Sequence, residues 1–95
     1  MIEEIQKTIA REKDEIRRSY KAVIRGIFGS YARGDFGADS DLDLLVDFDD
    51  GAGLLDLVGL GQYLEDVLGC KVDVVSRRSL REELRASVLD NTIHL

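Results

Sequence analysis

Asp41 and Asp43 stand one residue apart at the mouth of an apolar run, Leu44 to Phe48, and a third aspartate, Asp73, sits inside a second apolar run, KVDVVS at 71–76. Successive side chains of a strand point to opposite faces, so Leu42, Leu44, Val46 and Phe48 share one face. Asp41, Asp43 and Asp47 share the other with Leu45. Carboxylates two residues apart on one face have backbones about 7 Å apart, near enough for the side chains to converge on one ion. Without a cation between them they repel, and one pKa rises. In the later run Val72 and Val74 face the core, which turns Asp73 to the other side, where it joins the pair if the two strands are neighbours. Hard oxygen ligands of this kind suit Mg²⁺ or Mn²⁺, and with no histidine nearby they suit zinc or copper poorly.

The Gly29-Ser30 corner supplies a second chemistry. A strand ending in glycine lets the backbone approach a ligand closely, and a following helical turn, SYARGDF, aims free N–H groups and a serine hydroxyl at an anion such as phosphate. Metal ligands and a phosphate cradle within one segment describe nucleotide chemistry, in which paired ions clamp the attacking and leaving oxygens of a phosphoryl displacement. Blander readings exist for each part. An Asp at a strand mouth is often a solvated turn residue, and Gly29-Ser30 can simply end a strand and cap a helix. A calcium loop with Asp39, Asp41 and Asp43 at positions one, three and five fails, because Leu44 and Asp50 occupy the places where that loop needs Gly and Glu.

The elements that must position these groups alternate along the chain. Ile2, Ile5, Ile9 and Ile16 form the stripe of an amphipathic helix over residues 2–19. AVIRGIF at 22–28 and LDLLVDF at 42–48 read as strands, the second followed by the turn-like DDGAG. Leu54, Leu57, Val58, Leu64 and Leu68 make a helical stripe ended by Gly69, and KVDVVS is a third strand. Ser79 and Glu82 fit a capping box opening a helix with Leu80, Leu84 and Val88, and TIHL is a short edge strand. The expected fold is α/β, or α+β: a small mixed sheet with helices packed mainly on one face, in one domain spanning residues 1–95.

Size and charge narrow the partners. Ninety-five residues, 44% hydrophobic, support one core burying somewhat over ~60% of the unfolded surface. No run is long and apolar enough for a membrane span and no signal-peptide pattern is present, so a soluble cytoplasmic protein is expected. A net charge of −6 argues against binding nucleic acid through the overall field. Cys70 is unpaired and reads as structural, and His94 as structural or incidental. Arg77, Arg78, Arg81 and Arg85 either contact a partner or form the solvated face of a helix.

GSYARGDFGADSDLDLLVDF resembles the signature of the minimal nucleotidyltransferases of the DNA polymerase beta superfamily: Gly-Ser, ten residues, Asp-x-Asp, and a later aspartate in VDVV. The resemblance implies a nucleotidyltransferase fold in which Asp41 and Asp43 hold Mg²⁺ ions, a pair by analogy with two-metal sites, and Asp73 completes the site. Gly29 and Ser30 would seat the triphosphate of ATP. Arg33 would either neutralise phosphate or pair with a nearby aspartate. Small stand-alone members of this family are similar to antitoxins whose partners are helical HEPN-domain ribonuclease toxins, and the implied activity is transfer of AMP from ATP to a toxin tyrosine. Two other readings stay open: a module that silences the toxin by covering it, and a nucleotidyltransferase acting on a small molecule.

Overall fold

The computed structural model describes residues 2–37 and 39–95; Ala38, inside the quoted signature, lies outside the described residues. Helices α1 (Ile2–Arg11) and α2 (Lys13–Tyr20) precede strand β1 (Ala22–Phe28), a short helix α3 (Gly29–Arg33) and strand β2 (Leu42–Phe48). Helix α4 (Leu54–Leu68), strand β3 (Val72–Ser76), a 3₁₀ turn at Arg77–Ser79, helix α5 (Glu82–Asp90) and strand β4 (Ile93–His94) complete the chain. The single helix expected over 2–19 is two helices that part at Glu12. The apolar stripe survives the break, since Ile5, Ile9 and Ile16 are all buried.

The strands form one mixed sheet in the order β3-β2-β1-β4, with β1 antiparallel to β2 and β4, and β2 parallel to β3. One face of this sheet carries the main core. Ala22, Ile24 and Ile27 of β1 and Leu42, Leu44 and Val46 of β2 pack there against Ile5, Ile9 and Ile16 of α1 and α2 and Leu60 and Leu64 of α4. Helices therefore sit mainly on one face, as the apolar patterning requires. α5 buries no residue of its own.

A bulge in β1 decides what reaches the other face. Ile24 pairs with Val46, but Gly26 pairs with Leu45, so Arg25 is the extra residue. Beyond it the alternation is reversed: Ile27 turns into the core opposite Leu44, and Phe28 turns to the site face opposite Asp43. Gly26 is required by close approach, because a Cβ there would lie 2.2 Å from the Thr92 methyl and 2.9 Å from the Ile93 carbonyl oxygen. No larger residue lets the β4 segment close on this edge.

Leu45 lies on the face of the acidic residues, as expected, and at 1% exposure is buried outside the main core cluster, between Gly26 and Val75 on the flanking strands; two other expectations are corrected. Ser79 does not cap α5, because it belongs to the 3₁₀ turn, and Arg81 precedes the helix with no side-chain cap. The α4 stripe is also different: Leu60 and Leu64 face the core while Leu54 and Val58 are exposed. Among the described residues no helix is long and apolar enough to cross a membrane.

Candidate active site

Parallel pairing of β2 with β3 places Asp43 directly opposite Asp73, and antiparallel pairing with β1 places it opposite Phe28, the residue before Gly29. The three segments that carry the sequence-predicted groups thus meet at one end of the sheet. Gly29 adopts φ +71°, in the left-handed region, and a Cβ there would lie 2.1 Å from Asp43 Oδ2. Only glycine satisfies both the backbone and the carboxylate. Ser30 follows in the first turn of α3, which no side chain caps, leaving that turn's N–H groups open. Tyr31 anchors the turn: it is buried and stacks on Phe36 at a centroid separation of 4.3 Å. Cys70 is partly buried and packs against the core cluster.

The carboxylates on this face are not equivalent. Asp47 is held by Arg25 Nε at 2.7 Å and Arg77 Nε at 2.9 Å, which tie β1, β2 and the segment after β3 together. Among the described residues Asp43 has no such clamp. Its carboxyl is pushed up to about 6, first by burial, then by the charges of Asp73 and Asp41 and by contact with Asp73, against a smaller opposing influence of Arg33. That Asp43–Asp73 contact is a hydrogen bond only when one of the two carries a proton. Asp41 and Asp73 are exposed. Among the described residues no three acidic, histidine or cysteine groups close into a ready metal cage. The donor chemistry nevertheless fits a hard divalent cation, which would relieve the repulsion that raises Asp43.

Arg33 pairs with Asp35 at 3.2 Å across an exposed surface, one of the two roles left open for it. It also borders a pocket of about 370 Å³ with Phe28, Gly29, Ser87, Val88 and Asn91. Sequence reading did not place Ser87 and Val88 of α5, or Asn91 just after it, at the site, because their approach to Gly29 depends on tertiary packing. Of the C-terminal arginines, Arg77 and Arg78 are engaged with Asp47 and Asp50, the latter at 2.7 Å. His94 is exposed on β4.

The family model for the nucleotidyltransferase domain matches residues 5–95. The chain belongs to the nucleotidyltransferase domain family. This nucleotidyltransferase is 38% identical over 94 residues to the protein adenylyltransferase MntA of Thermococcus cleftensis, covering 99% of this chain and 95% of that one. A solved minimal nucleotidyltransferase superposes with a TM-score of 0.75 at 43% identity, covering 94% of both chains. A toxin-antitoxin structure with AMP-PNP matches with a TM-score of 0.70 at 27% identity, over 88% of this chain and 69% of that one.

The raised Asp43 carboxyl makes a stability prediction. Its folded pKa lies above the ordinary value of 3.8, so the ionised group weakens the fold fully above about pH 6 and not at all below the unfolded pKa. A shift of this size corresponds to about 3 kcal/mol for an isolated group, and solvent screening at a partly open site reduces it to about 1 kcal/mol. Without divalent cations, Asp43→Asn is expected to be about 1 kcal/mol more stable than the parent at neutral pH, with the gain vanishing near pH 4. Urea unfolding at both pH values checks this. A variant less stable than the parent at neutral pH would assign Asp43 a structural role.

Proposed function

We propose that this nucleotidyltransferase is the antitoxin of a toxin-antitoxin pair and transfers AMP from ATP to a tyrosine of a HEPN-domain toxin, silencing it. The observation that carries the reading is the register that sets Asp43 beside Asp73 with the glycine corner of Gly29 closed against it. Support comes from the likeness to a protein adenylyltransferase over nearly the whole chain and to a toxin-antitoxin structure holding an ATP analogue.

In this reading the open N–H groups at Gly29 and Ser30 receive the triphosphate. Arg33 leaves Asp35 for a phosphate oxygen, an exchange that is easy because an exposed ion pair contributes about 0–1 kcal/mol. The pocket bordered by Phe28, Ser87, Val88 and Asn91 seats the remainder of the nucleotide. Asp41, Asp43 and Asp73 would hold Mg²⁺, a pair of ions with Mn²⁺ as a substitute. The bound cation supplies charge neutralisation on the phosphates and a more nucleophilic hydroxyl. The residues keep the acceptor oxygen in line with the leaving diphosphate, so that its bond to the α-phosphorus forms as the diphosphate bond breaks.

Intact-mass measurement of the cognate HEPN-domain protein after incubation with this chain, ATP and Mg²⁺ tests the proposal. The expected result is a gain in whole AMP units, located on tyrosine by fragmentation. Neutralisation of the toxin with no AMP on it would overturn the enzymatic reading in favour of masking.

A further inference from the structure

α4 carries two apolar stripes, and only one is used by the fold. Leu60 and Leu64 are fully buried in the core, whereas Leu54 is 76% exposed, Leu55 87% and Val58 47%. Leu54, Leu57, Val58, Gly61, Gln62 and Glu65 follow one another at helical spacing and so share a face of α4. From Leu57 onward that face forms one wall of a groove of about 240 Å³ whose other wall is Val72, Asp73 and Val74 of β3. β3 is the outer strand of the sheet. Glu65 reaches across to accept the Val72 N–H at 3.1 Å, holding the two walls together.

We propose that this groove and the exposed first turn of α4 form the docking surface for the acceptor protein, which seats an apolar segment flanked by basic residues there. The inference rests on the adenylyl-transfer reading and deepens it by naming where the acceptor binds. Asp73 lines the groove while its carboxylate belongs to the face shared with Asp43, so a single edge strand, about 5 Å wide, separates the docked segment from the reacting groups. A hydroxyl carried by that segment needs only to overhang the strand.

Charge identifies the occupant. Glu65, on the groove wall, has no basic partner in the ion pairs among the described residues, and the chain carries a net charge of −6. A second copy docking through the same face would bring like charges together, which costs specificity and affinity. An apolar segment with Lys or Arg flanks would cover the leucines and neutralise the groove.

The test uses the full chain with Leu54→Glu and Val58→Glu together, and separately Leu55→Ser, which at 87% exposure loses almost no burial; urea unfolding of each variant checks that the fold is kept. The probe is the HEPN-domain protein. The double variant is expected to raise the KM for that acceptor, and the Kd of the complex, by at least ~10-fold, with kcat and the KM for ATP within about twofold of the parent. Leu55→Ser moves the same constants in the same direction by less. An unchanged acceptor KM and Kd would overturn the proposal. So would self-association of the parent that the double variant abolishes, which would give the face to a second copy. If the parent transfers no AMP, the activity fails but the docking surface is still judged by Kd: a loss of ~10-fold upholds it and no change overturns it.

Discussion

Replacing Asp41 and Asp43 together with alanine is expected to lower AMP transfer to the acceptor by about 1,000-fold or more, while the complex with the acceptor still forms. Cation-mediated charge stabilisation in phosphoryl transfer contributes several kcal/mol, and each 1.36 kcal/mol is tenfold in rate. The two side chains supply most of the oxygen ligands that the β2 end of the sheet offers, and Asp73 alone cannot hold a hard cation that favours octahedral coordination. The fold should tolerate the change, because Asp41 is exposed and removal of Asp43 relieves repulsion. Quantitative mass spectrometry of the acceptor and titration of the complex give the two readouts. Transfer within tenfold of the parent would remove these aspartates from the site.

The second large effect belongs to a residue with no side chain. Gly29→Ala is expected to lower transfer by at least ~100-fold and to destabilise the protein by about 1–3 kcal/mol. A left-handed φ of +71° costs a non-glycine residue about 1–2 kcal/mol, and the added methyl must also displace Asp43 Oδ2 from a position 2.1 Å away. Misplacing a reacting group by about 1 Å is enough for a 100-fold loss of rate. Steady-state transfer rates and urea unfolding separate the two parts. Gly34 provides the control: it too has positive φ, +82°, but a Cβ there meets nothing within 4 Å, so Gly34→Ala should show the backbone cost with little loss of activity. Equal activity loss in both variants would mean that backbone strain, and not the clash with Asp43, is responsible.

Much of this architecture is local and therefore legible in the chain. β1 and β2 fall on AVIRGIF and LDLLVDF, because β-branched and apolar runs bounded by glycine or turn residues favour extended, half-buried backbone. α4 ends where Gly69 adopts the left-handed conformation that stops a helix. Alternation along β2 placed Asp43 and Asp47 on the face away from Leu42, Leu44 and Val46, and burial of those three agrees. The capping box at Ser79 failed although its residue types were right, since a cap depends on where the preceding backbone turns, and there the chain forms a 3₁₀ turn instead.

By itself the sequence determined which residues bear carboxylates, where the strands lie and where glycine must end one, because propensity and alternation act within a few residues. Only the tertiary structure decided that β2 and β3 are parallel neighbours with Asp43 opposite Asp73, and that a bulge at Arg25 turns Phe28 toward them. It alone decided that Asp47 is neutralised by Arg25 and Arg77 while Asp43 keeps a raised pKa. It also chose which of two apolar stripes on α4 faces the core. The physical reason is the same in each case: pairing, burial and charge neutralisation arise between segments distant in the chain, and spacing along one strand or helix cannot say which distant partner arrives.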